Sequence, residues 1–190
     1  MVPFNHFDFI APHYDRFIKP RQNNRFFQLV NLPTPGLIID VGGGTGQKSL
    51  PLLKLADRVI IADSSEGMLS LAKQKSGLVA IRTVAEHLPF SDKTVDRVIM
   101  VDAFHHVEDY RVAASEMWRV IKPGGRIVIE EPDIRKTAVI FLAILEKILL
   151  MRSHFVSPPG IAACFDHPNA KVIIEVDEAT AWIIVDKQAE

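Results

Sequence analysis

The chain has 190 residues, 48% of them apolar and 24% charged, with a formal net charge of −1 from 22 basic and 23 acidic residues. Such a chain can bury a sizeable core. It lacks the basic excess with which nucleic-acid binders hold phosphates, so no nucleic-acid partner is expected. Its one cysteine, Cys164, excludes an internal disulfide and a cysteine-built metal site, and fits a reducing, cytoplasmic setting with no metal.

Residues 1–30 carry Asp8, His13 and Asp15 among scattered aromatics. They hold no continuous apolar run, so a secretory leader is not expected. In residues 4–19, Pro12 is placed to start a short helix. This stretch reads either as a flap packed on the domain, since most aromatics are packing residues, or as a lid with Tyr14 and Phe17 facing a ligand. Residues 20–30 read as a second short helix, closed by Asn31, Pro33, Pro35 and Gly36. Residues 1–35 would then form an N-terminal helical flap on one domain spanning 1–190.

Strand one is Leu37–Val41, ending in Asp40-Val41 and followed by Gly42, Gly43, Gly44 and Gly46. A helical pattern then runs from Gln47 to Leu55, with Pro51 in its first turns. Strand two is Arg58–Ala62, and Ser64 and Ser65 are N-cap candidates for a helix from Glu66 to Lys75. Strand three is Leu78–Val84 and strand four Val95–Val101. A helix over Tyr110–Ile121 is stopped by Lys122-Pro123-Gly124-Gly125, and strand five is Arg126–Glu130. Strands alternating with helices imply βαβ units and a parallel sheet wound on both faces. Residues 134–152 read as a helix that is too short to span a bilayer and too apolar for a half-exposed surface. Residues 153–168 read as irregular, and 171–176 with 180–185 as a terminal antiparallel hairpin.

A strand that breaks into a glycine-rich turn and re-enters a helix is a nucleotide-cradling device. Glycine permits positive φ and close approach of a ligand, and a helix N-terminus supplies free N–H groups. The dinucleotide pattern GxGxxG fits poorly, because Gln47 stands where its third glycine belongs. DxGxGxG fits fully as Asp40, Gly42, Gly44 and Gly46. A carboxylate beside the turn suits an ammonium-bearing ligand and repels a pyrophosphate. Asp63, 23 residues after Asp40, can accept both ribose hydroxyls; it could also simply cap the following helix.

The stretches IIDVGGGTGQ (38–47), VIIADSSEGML (59–69), AEHLPFSDKTVDRVIMVDAFHHVED (85–109) and EMWRVIKPGGRIVIEEPD (116–133), in this order, resemble class I S-adenosylmethionine-dependent methyltransferases. The similarity is to the small-molecule type of ubiquinone and menaquinone biosynthesis. The resemblance implies a doubly wound, mostly parallel seven-stranded sheet of Rossmann-like α/β class, with an antiparallel last strand. It implies S-adenosyl-L-methionine as cofactor. By position, Asp40 lies near the methionine amino group, and Gly42, Gly44 and Gly46 bring backbone against the cofactor. Asp63 takes the ribose hydroxyls, with Ser64 and Tyr14 at the same site. Met68 packs near the adenine, Val84-Ala85 read its edge, and Val101 lies beside the methyl donor. Three departures stand out. Gly43 replaces the family's common Cys or Ser, a change expected to matter little. Val84 replaces a common acid that bonds the adenine amino group, so that Ala85 backbone or Glu86 would have to substitute. The segment before the last hairpin, 134–168, is short and apolar, and lies on the substrate side.

Methyl transfer requires mainly positioning, and a base only if the acceptor loses a proton. His105 and His106, just after strand four, are candidates for that base, or they face solvent or cap the next helix. Glu130, Glu131 and Asp133 could bind a polar acceptor or act as caps. Residues 138–151 could cover a lipophilic acceptor, rest on a membrane surface, or be buried against the sheet or in a homodimer. The expected activity is methyl transfer to a small, lipophilic molecule. The competing readings are a cofactor-binding but non-catalytic regulatory protein and an NAD-type dehydrogenase. DNA-base methylation is disfavoured, because Val101-Asp102-Ala103-Phe104 lacks an (N/D)PPY-type sequence.

Overall fold

The structure is a computed structural model that describes residues 6–17, 24–148 and 153–189. Seven strands form one sheet: β1 (Thr34–Val41), β2 (Ala56–Asp63), β3 (Val79–Arg82), β4 (Val95–Val101), β5 (Ile121–Pro132), β6 (Ala170–Asp177) and β7 (Thr180–Lys187). Their order is β3-β2-β1-β4-β5-β7-β6. The first five strands pair in parallel. β7 runs antiparallel between β5 and β6, so the chain is a doubly wound α/β fold with an antiparallel C-terminal hairpin.

The pleat splits the strand residues into two cores. Ile39, Val41, Val98, Met100, Ile127 and Ile129 face one way, against Ala113, Ala114, Met117 and Val120 of helix α4 (Tyr110–Val120). Ile38, Val59, Ile61, Ile99 and Val128 face the other way. There they meet α2 (Asn24–Val30) through Phe26 and Val30, and α3 (Glu66–Ala72) through Leu69 and Ala72. Strands buried on both faces read as near-continuous apolar runs, which is why β1, β2 and β4 stand out in the sequence.

Several elements differ from the sequence expectation. Between the glycine turn and β2 there is no long helix, only a 3₁₀ turn over Leu50–Lys54. Pro51 has no N–H to return to the carbonyl of Gln47, and the amides of Ser49 and Leu50 both fall on Gly46 O instead. The turn therefore gains no helix N-terminus of useful length. Pro12 does not start the first helix but lies inside α1 (His6–Phe17). That helix is anchored from its side: the Asp8 carboxylate accepts Ser65 Oγ at 2.6 Å and Gly67 N at 2.9 Å. Asp15 accepts from Thr45 Oγ1 at 2.5 Å and pairs with Lys75 at 2.8 Å.

The predicted helix over 134–152 is α5 (Thr137–Ile148), with its predicted end outside the described residues. The stretch 153–168 is not wholly irregular. It holds α6 (Pro158–Ala162), whose two prolines sit in the first turn where their missing N–H groups cost nothing, and Ser157 caps it. Val139 of α5 is buried, while Ile140, Phe141 and Ile144 are 43%, 69% and 50% exposed. Among the described residues no helix is long and apolar enough to cross a membrane.

Candidate functional site

The sheet order reverses direction between β1 and β4, and a ligand crevice opens beyond the carboxyl ends of the strands at such a point. A cavity of about 660 Å³ lies there, within the ~300–1,000 Å³ of small-molecule sites. The register fixes what reaches its rim. Asp40 is level with Ile61 and Ile99. Asp63 and Val101 stand two residues further along their strands, about 6–7 Å nearer the opening. By the same pleat, Asp40 points to the Ile38 face, beneath the turn.

The glycines divide by what surrounds them. Gly42 has φ +70°, and a Cβ on it would meet the Ala103 Cβ at 2.5 Å, so this glycine seats the turn against the loop after β4. Gly44 has φ +55°, and a Cβ there would find only Met68 Sδ at 3.9 Å. It leaves open cavity that a ligand can enter along the backbone. A Cβ on Gly46 would strike Leu78 at 2.6 Å, so its role is packing under the turn. A Cβ on Gly43 would lie 2.7 Å from the Asp40 carboxylate, so the absence of Cys or Ser there is tied to how Asp40 is stored.

The site is rich in carboxylates. Asp40 is 2% exposed; its Oδ2 accepts Ser49 Oγ at 2.5 Å, and among the described residues its Oδ1 has no partner. Burial pushes its acid up to about 6, against the Ser49 hydrogen bond and the nearby Lys48. Asp63 accepts Gly44 N through Oδ2 and Ser65 N through Oδ1, each at 2.8 Å, and burial raises its acid as well. Tyr14 of α1 hangs over this group. Burial, and then the charges of Asp102 and Asp63, push its phenol up to about 12, so it remains an O–H donor.

A testable pH dependence follows from Asp40. Its folded pKa lies above the unfolded value of about 3.9, so the native state holds this proton more tightly. The stabilisation is fully present below about pH 4 and lost as pH rises through about 6. A gap of that size is worth about 3 kcal/mol. Asp40→Asn, which carries no charge to bury, is expected to raise the urea midpoint at pH 7 and to leave it near the wild-type value at pH 4. Equal midpoints at pH 7 would show that the buried charge costs nothing.

The loop after β4 is held from below by Glu131, which is 3% exposed. Its Oε1 accepts the N–H groups of Ala103 at 2.8 Å and Phe104 at 2.7 Å, and its Oε2 lies 2.5 Å from His105 Nδ1. Asp102 takes φ +51° at the start of this loop and pairs with Lys48. His105 is buried and stacks on Phe155 at 4.4 Å. His106 lines the cavity, edge-on to Phe7 at 4.9 Å and 3.3 Å from Ser153 Oγ. Burial, and then His105, push the His106 imidazole down to about 3, so it is neutral near pH 7.

The cavity wall thus brings together Tyr14, Gly42, Gly44, Asp63, Ser64 and Met68, and, from across the sheet, Val84, Ala85, Val101 and His106. Asp40, Gly46 and His105 do not line it: the first two are turned beneath the glycines, and the third is turned toward Glu131. Glu130, Glu131 and Asp133 do not line it either; they meet Trp182 Nε1, the β4 loop and Arg135 respectively. Phe17's side chain is outside the described residues. Phe7 and Val112 line the cavity without having been singled out as binding residues, and Glu86, named as a possible substitute for the acid missing at Val84, lines it too. The spacing of Phe7 and Tyr14, two helical turns, is the signal that places both on one face of α1.

These residues fit S-adenosylmethionine, which carries an ammonium, a sulfonium and a ribose diol. The space left open above Gly44, the unpaired oxygen of Asp40 beneath the turn and the Asp63 carboxylate at the rim suit a cationic ligand with hydroxyls to donate.

Residues 39–129 match the family model described as a methyltransferase domain. The chain is 32% identical over 157 residues to a demethylmenaquinone methyltransferase of Streptomyces avermitilis, covering 80% of this chain and 64% of that protein. It is 35% identical over 104 residues to a ubiquinone/menaquinone biosynthesis C-methyltransferase of Haemophilus ducreyi, covering 50% of this chain and 40% of the other. The chain therefore spans less than two thirds of the length of either. Among solved structures, the methyltransferase bound to the activator Trm112 in a Haloferax volcanii complex superposes with a TM-score of 0.81, at 18% identity over 97% of this chain and 99% of that one. An S-adenosylmethionine-dependent methyltransferase of Thermotoga maritima gives 0.74, at 21% identity over 96% and 98%. Those two likenesses show the fold, and the sequence matches show a methyltransferase domain over residues 39–129, similar to that of the demethylmenaquinone methyltransferases.

Proposed function

We propose that the protein transfers a methyl group from S-adenosylmethionine to a small, lipophilic acceptor. The observation that carries this reading is the ring of carboxylates around a glycine turn with no helix behind it: Asp63 and Asp102 at the cavity and Asp40 beneath. A pyrophosphate would meet like charge there, whereas a sulfonium and an ammonium are attracted. The cofactor, when bound, supplies an activated methyl group. The chain's own residues position it: Asp63 accepts the ribose hydroxyls, with Ser64 alongside. Gly42 and Gly44 offer backbone, and Met68, Val84 and Ala85 wall the adenine. Val101 and the Tyr14 hydroxyl border the methyl end. Asp40 acts through its charge from below, and Gly46 by shaping the turn. His106, neutral and weakly basic, orients an acceptor, while His105 holds the loop; an acceptor that must lose a proton would find little driving force for giving it to His106.

Two observations support a lipophilic acceptor: the relatives carry names from menaquinone and ubiquinone biosynthesis, and α5 presents Ile140, Phe141 and Ile144 to solvent. Lys136 is exposed just before this stripe, beside Arg135, which is held by Asp133. An exposed cation beside an apolar helix face suits an anionic lipid surface, approached from a cytoplasmic setting. Flotation with anionic vesicles should carry the wild type and leave Phe141→Asp behind. Flotation of neither would leave α5 as a contact between two copies, readable as a dimer by sedimentation.

The activity is tested by incubating the protein with methyl-labelled S-adenosylmethionine and a lipid and metabolite extract. Label is expected in an extractable small molecule, and not with Asp63→Ala. Cofactor binding with no label released would identify a silent regulatory protein instead.

A further inference from the structure

We infer that the free edge of β6 pairs antiparallel with the same edge of a second copy of this chain, around a two-fold axis at Ile173. β6 is the last strand in the sheet order, and among the described residues nothing pairs with its far side. The turn fixes which way its backbone groups point. Glu178 and Ala179, the first at φ +50°, join Asp177 to Thr180. A two-residue hairpin closes on a pair that exchanges hydrogen bonds, and the ladder then alternates. Odd-numbered residues of β6 therefore bond β7. The bond from Gln188 N to Asn169 O at 2.8 Å keeps the same parity beyond the strand ends. The N–H and C=O groups of Val172, Ile174 and Val176 point outward, an open row of the kind that proteins usually blunt.

The side chains along this edge match themselves. Around an axis at Ile173, Lys171 of each copy stands opposite Glu175 of the other, Val172 opposite Ile174, and Ala170 opposite Val176. Even-numbered residues then meet even-numbered ones, so the outward groups face each other and close a ladder. An axis at Val172 or Ile174 sets Ile173 against Lys171 or Glu175, and an axis midway between residues opposes outward groups to inward ones. Lys171 is exposed and has no ion-pair partner among the described residues. Glu175, met by Arg25 of α2, keeps 32% of its side chain exposed on the same face. Ile173, Ile174 and Val176 are 39%, 38% and 41% exposed, and pairing covers all three. On the face of the even residues, Pro159, Ala162, Phe165, Ala170 and Val172 wall a shallow hollow of about 430 Å³. Val176 of the second copy comes to rest beside it, opposite Ala170. β3, the other edge, is four residues long and carries Arg82 with no acid, so it has no such match with itself. The β6 contact uses the same patch on both copies and closes as a dimer.

The test is sedimentation velocity of the wild type, Lys171→Glu, Glu175→Lys and an equimolar mixture of the two variants over a range of concentrations, with melting temperatures recorded alongside. The wild type should form a dimer. Each variant should melt near the wild type and dissociate about tenfold more readily, because like charges then stand opposite each other at both ends of the contact. Lys171→Glu carries acids at both positions and Glu175→Lys carries bases at both, so the mixture should dimerise about as tightly as the wild type. A wild type that stays monomeric up to millimolar concentration overturns the inference, as do variants that dimerise like the wild type. So does a mixture that dimerises no more tightly than its components. A dimer broken by Phe141→Asp and kept by the β6 variants overturns it too, and puts the contact on α5.

Discussion

Glu131→Ala is expected to destabilise the protein by about 3–5 kcal/mol, the largest loss from any single truncation near the site. The side chain is 3% exposed and serves three groups at once: Ala103 N, Phe104 N and His105 Nδ1. Without it two buried N–H groups lose their acceptor, each worth about 1–3 kcal/mol, and a cavity adds to that. No water can reach the amides easily, since Ala103, Phe104 and His105 are all buried. Glu131→Gln should recover most of the loss, because one amide oxygen can still accept both N–H groups. Urea unfolding of the two variants decides it. A cost under about 1 kcal/mol for Glu131→Ala would mean that the loop is held by Phe104 and His105 packing and not by the carboxylate.

Asp63→Ala is expected to weaken S-adenosylmethionine binding by about 100-fold, or ~2.8 kcal/mol. Hydrogen bonds to a charged acceptor are worth about 1.5–3 kcal/mol each, and a ribose diol can make two. The carboxylate also holds Gly44 N at 2.8 Å, so its loss loosens the backbone that lies against the ligand. Stability should change less than affinity, because burial of this charge already opposes folding. Titration of the variant beside Val101→Ala, which leaves the acid in place, separates the two effects. Equal affinities for wild type and Asp63→Ala would place the ribose elsewhere.

Much of this was legible in the chain itself. β1, β2 and β4 are buried on both faces, so they appear as apolar runs that end at the rim; Asp63 was read from such an end, and Val101 came from the resemblance. Gly42 and Gly44 were legible because positive φ restricts the choice of residue. What was not legible depends on contacts far apart in sequence or on pleat parity. Asp40 belongs to the right motif, yet its side chain shares a face with Ile38 and meets Ser49, out of the cavity. The pairing of Glu131 with His105 joins β5 to the loop after β4, and no local pattern announces it. Pro51 had already weakened the expected helix, and its missing N–H reduces that helix to a single 3₁₀ turn. The seat of α1 was not legible either: Asp8 anchors it by meeting Ser65 and Gly67, residues near the start of α3.

The central claim, that a carboxylate-lined glycine turn holds a cationic adenosine cofactor, is tested most directly by titrating the wild-type protein in parallel with S-adenosylmethionine and NAD. Saturable binding of S-adenosylmethionine with no measurable heat from NAD is the predicted result. Binding of NAD without S-adenosylmethionine would contradict it.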